Sequence, residues 1–205
     1  KKHQPTKDFL CLMSDKPKRP FRRRLNERLI SSGLQDAMVY RFNEKNESTF
    51  DDLKDQFQKK MIDRLKWKDG WPPVKYYNQT NLELSVETLC ADHDETFMIT
   101  EKTLKPITMK HPFLVLSTKD FLKNLQNLGF KTFHEFFDES YDNEPLVDKR
   151  VEIITNNLID LKGKTHKLYQ DSQEIREHNH LTLQHLIGEW TTKSWKMMDE
   201  MWKNI

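Results

Sequence analysis

The chain has 205 residues, enough for one sizeable domain or one domain with a helical appendage. Charged residues make up 32% against 36% hydrophobic, but 11% aromatic residues, with twelve Phe and five Trp, give a core its bulk and argue against disorder. A net charge of +2 does not mark a dedicated nucleic-acid binder. No apolar run reaches the roughly 20 residues that span a bilayer, and no signal peptide is expected.

Phe9-Leu10-Cys11-Leu12-Met13 is a short apolar run and reads as the first strand. The loop Ser14 to Pro20 carries two prolines, which exclude a helix there. A helix is predicted from about Phe21 to Ser32, with Leu25, Leu29 and Ile30 as its apolar stripe and Gly33 as its stop. Met38 to Phe42 reads as a second strand. Over residues 50–66, Phe50, Leu53, Phe57, Met61, Ile62 and Leu65 recur at helical spacing, and a loop follows at Asp69 to Pro73.

Leu82 to Glu87 alternates apolar and polar residues, as a half-buried strand does. Phe97-Met98-Ile99-Thr100 reads as a short strand, and Glu101 to Met109 as a short helix that tolerates Pro106. Pro112 to Leu116 is the clearest buried strand. A helix from Thr118 to Leu128 stops at Gly129, and Phe130 to Phe133 is the next predicted strand. His134 to Asp142 is an acidic, aromatic loop, after which Pro145 opens a helix to about Leu161 with Gly163 as its stop. Residues from about Asp171 onward read as a Trp-rich helical segment that includes Ile175, Leu181, Leu186, Ile187, Trp190, Trp195, Met198 and Trp202.

Strands alternating with helices predict an α/β fold, a Rossmann-like parallel sheet with flanking helices over residues 1–165 and a helical C-terminal extension over 166–205. In such sheets ligands bind beyond the carboxyl ends of the strands. Three strand ends carry polar residues suited to an anionic, sugar-bearing ligand. One is the basic stretch Lys16, Lys18, Arg19, Arg22, Arg23 and Arg24, where a helix start and bidentate arginines favour phosphate. The second is Glu87 with Thr88, and the third is Thr100-Glu101-Lys102-Thr103 with Lys105. A carboxylate at Glu101 suits ribose hydroxyls, and an ammonium at Lys102 or Lys105 suits a diphosphate. Each feature also has a plain reading: a solvated basic face, an acidic residue favouring a helix start, or a carboxylate paired with a base.

Cys11 and Cys90 sit in apolar runs without zinc spacing, so buried reduced thiols in a cytoplasmic setting are expected. Asn46-Glu47-Ser48 and Asn78-Gln79-Thr80 match the N-glycosylation pattern, which is common by chance. No metal site is predicted. His134, Glu135, Asp138, Glu139 and Asp142 lack ligand spacing, and His178, His180 and His185 lack a partnering carboxylate pattern. With only five Gly, phosphate contacts would come from Arg, Lys and helix ends rather than a glycine-rich loop. Lys rather than Met at position 1 points to processing or to a fragment of something longer.

The stretch Thr100-Glu101-Lys102-Thr103-Leu104-Lys105-Pro106-Ile107, followed by Pro112-Phe113, resembles a segment of phage- and giant-virus-encoded glycosyltransferase-like proteins. Their "GF-x-TF" and "DESYD" segments are matched by Gly129 to Phe133 and by Asp138 to Asp142. Phe9 to Met13, followed by Lys16-Pro17-Lys18-Arg19-Pro20-Phe21-Arg22, is similar to their "FLCL…RPRPHR" segment, with Phe21 where they have His, and Leu84 to Thr88 to their "VTET", with Ser85 for Thr. The resemblance covers about Phe9 to Leu161 and extends to the donor-binding half of fucosyltransferases. It implies the C-terminal half of a GT-B architecture, with the acceptor half missing or much reduced. It implies transfer from a nucleotide-sugar co-substrate, with no tightly bound cofactor and no metal. Thr100, Glu101, Lys102, Thr103, Lys105, Arg19 and Arg22 would bind the donor, Glu101 at the ribose and Lys102, Arg19 and Arg22 at the diphosphate. Glu87 is a candidate base, although an acceptor-half residue fits that role better. The implied setting is host cytoplasm or a virion, with nucleic acid a partner only as acceptor. The alternative is a non-catalytic structural or interaction protein, docking through its Trp-rich C-terminal helix or through a separate N-terminal half. A third option is a nucleic-acid module built on Lys16 to Arg24.

Overall fold

The structure, a computed structural model, describes His3 and residues 5–14, 18–43 and 74–203, with side chains through Glu189 apart from those of Ser14, Arg41 and Asn43. The helix expected over 50–66, the loop at 69–73 and Lys16 lie outside the described residues.

The first strand, β1, spans Phe9–Ser14, and β2 spans Met38–Asn43. Between them helix α1 covers Pro20–Ser31. Pro20 stands in its first turn, where a missing N–H costs no helical hydrogen bond. A short α2, Val74–Tyr77, precedes β3, Leu82–Val86. Helix α3, Glu101–Thr108, leads to β4, Phe113–Leu116, and α4, Phe121–Asn127, follows. Three further helices complete the described chain: α5 at Val147–Leu161, α6 at Thr165–Asp171 and α7 at Gln173–Lys203. Gly129 and Gly163, with φ of +90° and +76°, end α4 and α5 in backbone that a Cβ would strain.

The strands form one all-parallel sheet in the order β2-β1-β3-β4, and helices flank it. The chain thus grows outward one way from β1 to β2 and the other way from β3 to β4. With that order, crossovers of the usual right hand put α1 and α3 on opposite faces. In keeping with this, α1 packs against α5, and α3 against α7. The core joins Phe9, Cys11, Leu25 and Leu29 to Leu82, Leu84 and Val86 and to the whole of β4.

Two expected strands are absent. Phe97 to Thr100 forms no ladder, because β3 pairs directly with β4 through Glu83↔Phe113 to Val86↔Leu116 and leaves no slot between them. Phe130 to Phe133 is irregular as well. A side chain satisfies its backbone there: Lys131 N–H donates to Asn179 Oδ1 at 2.7 Å, and Asn179 Nδ2 donates to the Lys131 carbonyl at 2.8 Å. The expected half-burial of β3 is also corrected, since all five of its residues are buried. β3 lies between β1 and β4 with helices over both faces, so its polar residues face protein rather than water.

α7 docks on the body through its first half. Arg176 donates to the Lys110 carbonyl at 2.8 Å and to the Tyr169 carbonyl at 2.7 Å, and Lys110 pairs with Glu177 at 2.5 Å. Its backbone continues to Lys203, but the side chains of Trp190, Trp195, Met198 and Trp202 lie outside those described.

Candidate functional site

The point where strand order reverses lies between β1 and β3, and in open α/β sheets the crevice at such a point is the usual ligand position. Three chain segments meet at its carboxyl side: the start of α1, the end of β3 with Glu87 and Thr88, and the start of α3. Arg22 ties the first two together. Its guanidinium reaches across to donate to the Val86 and Glu87 carbonyls at 3.2 and 3.1 Å, and only 2% of the residue is exposed. Burial, then the charge of neighbouring Arg19, push the Arg22 guanidinium down to about 10, with Glu87 and Glu101 opposing. It remains a cation at neutral pH. Arg19 is half-buried just ahead of α1, and its carbonyl accepts from Arg22 N–H at 3.1 Å.

Glu87 ties the second segment to the third. One carboxylate oxygen accepts from Thr100 N–H at 3.1 Å, Thr103 N–H at 3.3 Å and Thr103 Oγ1 at 2.7 Å. The other accepts from Thr88 N–H at 3.1 Å and from the Thr100 hydroxyl. The residue is 1% exposed, so this side chain satisfies donors that the beginning of α3 would otherwise leave buried. It belongs to a row. Glu83 and Ser85 lie on one face of β3, Glu87 just past its end continues the row, and each engages the layer above. Tyr77 Oη donates to Glu83 at 2.6 Å, and Ser85 Oγ donates to the Lys102 carbonyl at 3.0 Å. α3 therefore sits on polar bonds as well as on the buried Pro106 and Ile107.

This seat divides the predicted site residues by direction. Thr103 is fully buried and turned to Glu87, and Thr100 serves as N-cap with its hydroxyl engaged by the same carboxylate. Glu101 is exposed and Lys102 half-buried. Lys102 Nζ lies 2.7 Å from Glu101 Oε1, 3.2 Å from Thr88 Oγ1 and 3.4 Å from Thr100 Oγ1. Burial draws the Glu101 carboxyl upward, but the hydrogen bond and charge of Lys102, the backbone amide and the charge of Lys105 outweigh it and hold the group below the ordinary range. Lys105, one turn on and half-buried, is close enough to act electrostatically on both Glu83 and Glu101. The rim thus pairs an anionic acceptor with an ammonium donor beside the buried Arg22 cation. Chemically it can accept from hydroxyls and donate to phosphate-like oxygens. Farther out in the basic stretch, Arg24 is engaged with Asp148 at 2.7 Å on the α1–α5 flank.

The sequence reading missed two features of this edge. One is the Glu87 clasp, whose only trace in the sequence is a carboxylate two positions beyond Ser85. The other is Arg150, 1% exposed, which donates to the Ser117 carbonyl at the end of β4 at 2.6 Å and to the Ala91 carbonyl at 2.5 Å. It fastens the 88–99 segment to the sheet, and Asp92 Oδ1 accepts from Val147 N–H at 2.7 Å while the Pro145 carbonyl accepts from His93 N–H at 2.9 Å. The acidic loop, in turn, has structural partners. Asp142 accepts from Leu122 and Lys123 N–H at 2.7 and 3.1 Å, and Glu139 from Phe133 N–H at 2.7 Å. Among the described residues no three His, Cys, Asp or Glu side chains are grouped to hold a metal ion, and no helix is long and apolar enough to cross a membrane. Cys11 and Cys90 are free thiols in the core, and burial pushes both upward.

Fold and edge together define a small α/β domain whose parallel sheet is flanked by helices, consistent with a Rossmann-like arrangement. No protein-family model matches the chain, and neither a curated protein nor a solved structure matches it.

Proposed function

We propose that this domain binds the nucleotide-sugar donor of a glycosyltransferase, as the donor half of a GT-B-type enzyme, and that the ligand lies at the β1–β3 reversal point. The observation that carries this reading is the rim at the start of α3, where Glu101 and Lys102 are held outward beside Arg22 at the switch point of a parallel sheet. Glu101 accepts from ribose hydroxyls. Lys102, with Arg19, Arg22 and Lys105, supplies positive potential for a diphosphate that gains charge as it leaves. Binding requires Lys102 to exchange part of its contact with Glu101 for phosphate. With five donors on its carboxylate, Glu87 holds the site rather than acting as base, and the base comes from the acceptor side. The resemblance of residues 100–107 to viral glycosyltransferase-like proteins adds to this support.

Thermal unfolding with UDP-, GDP-, CMP-, ADP- and dTDP-sugars tests the reading. A donor at about 100 times its dissociation constant adds roughly 2.7 kcal/mol to stability. Stabilisation by one nucleotide class, lost in both Glu101→Ala and Lys102→Ala, is expected. No stabilisation by any of them would sink it. A second reading, a non-catalytic interaction protein that keeps this fold, draws on Leu181 and Ile187, which stand exposed on α7. It predicts no donor effect and loss of a partner or oligomer in Trp190→Ala or Trp202→Ala.

A further inference from the structure

Glu87 does more than end a strand. Its carboxylate bonds Thr88, the first residue after it, and Thr100 and Thr103, which lie 13 and 16 residues on. One side chain therefore closes both ends of the 88–99 excursion and fixes the first turn of α3. The remainder of that excursion is bolted down independently. Arg150 takes the Ala91 carbonyl, Lys119 N–H donates to the Asp94 carbonyl at 3.0 Å, and Thr118 Oγ1 donates to the Thr96 carbonyl at 2.9 Å. Removal of the clasp thus leaves the body of the loop and the sheet in place, and frees mainly the segment from Thr100 to Thr103.

That segment has two faces. Thr100 and Thr103 point to Glu87, and Glu101 and Lys102 point to the rim. Lys102 is steered from the same source, because its ammonium contacts Thr88 Oγ1 and Thr100 Oγ1, and Glu87 holds both of those residues. We propose that Glu87, acting through Thr100 and Thr103, is the positioning residue that sets Glu101 and Lys102 for a nucleoside diphosphate. This rests on the donor-binding reading and deepens it: the backbone that presents the donor-binding pair is set from behind by a buried carboxylate that the ligand never touches.

The pattern of bonds dictates the variants. Glu87→Gln keeps size but presents an N–H₂ where Thr88 N–H and the Thr100 hydroxyl now donate, so the Thr88 N–H faces a donor and the Thr100 hydroxyl must turn to accept. Thr103→Val keeps shape and loses the hydroxyl, and Thr103→Ser restores the hydroxyl. UDP and GDP serve as probes, titrated calorimetrically into the full chain well below each variant's unfolding temperature. Hydrogen exchange at the Thr88, Thr100 and Thr103 amides is read in parallel without ligand. The expected result is an affinity about tenfold weaker in Glu87→Gln and Thr103→Val, near-native affinity in Thr103→Ser, and faster exchange at those amides with β4 unchanged. A merely structural cap would lower the unfolding temperature and leave the affinity of the folded protein untouched. Equal affinity in wild type and Glu87→Gln overturns the proposal. If neither nucleotide binds the wild type, the donor-binding reading falls and the positioning role with it, and the exchange data still report separately whether the clasp exists.

Discussion

Glu83 sits in the middle of the sheet, 5% exposed, with Tyr77 Oη 2.6 Å from its carboxylate. Burial pushes its carboxyl up to about 7, against the lowering effects of the Tyr77 hydrogen bond, the Lys105 charge and Ser85. A raised carboxyl holds its proton longer in the folded chain than in the unfolded one. The stability it allows is therefore complete below the unfolded value of 4.5 and is lost as pH rises through about 7. A rise of this size corresponds to roughly 3 kcal/mol of lost stability on the alkaline side. Glu83→Gln keeps the volume and the acceptor for Tyr77 and removes the ionisation. Relative to wild type, the variant should gain about 3 kcal/mol between pH 4.5 and 8, on the order of 10 °C in unfolding temperature for a chain of this size. Urea and thermal unfolding of both proteins at half-unit pH steps measure it, and other titrating groups cancel in the difference. Parallel stability curves across this range would refute the reasoning.

His111 predicts the opposite slope. It is fully enclosed by Tyr77, Tyr169 and His3, with ring centroids at 5.2, 5.6 and 6.3 Å, and Thr80 Oγ1 lies 3.4 Å from Nε2. Burial, then the charges of His3 and Arg176, depress the imidazole well below its ordinary range. Its contribution is complete above the unfolded value of 6.5 and is lost as pH falls, by up to about 1.4 kcal/mol per pH unit. Equilibrium unfolding of His111→Gln from pH 7.5 to 5 should show a shallower acid loss than wild type, and equal slopes would rule this out. Asp142 accepts from two N–H groups at the start of α4, so Asp142→Ala should cost about 1 kcal/mol, and urea midpoints with an unchanged slope check it.

Element boundaries were largely legible in the chain because local chemistry sets them. The apolar run at Phe9 to Met13, Pro20 at a helix start, and Gly129 and Gly163 at helix ends each act within a few residues. The two misread strands fail for a non-local reason. Phe97 to Thr100 and Phe130 to Phe133 have suitable side chains, but a strand exists only where a neighbour offers a ladder, and here β4 takes that place and Asn179 satisfies Lys131. The candidate site divides in the same way. Thr100 to Lys105 stands out in sequence because capping, charge and helix period are local. The bonds from Glu87 to Thr100 and Thr103 required β3 and α3 to be packed together.

Composition and pattern by themselves thus determined an alternating α/β chain with its polar residues at strand ends. Only the tertiary structure decided which polar residues lie inside. Glu83, Ser85 and Glu87 look like the solvent face of an amphipathic strand until the order β2-β1-β3-β4 puts that strand in the interior. Burial of a strand face depends on what is stacked over it, and that is a property of the assembled layers rather than of any segment.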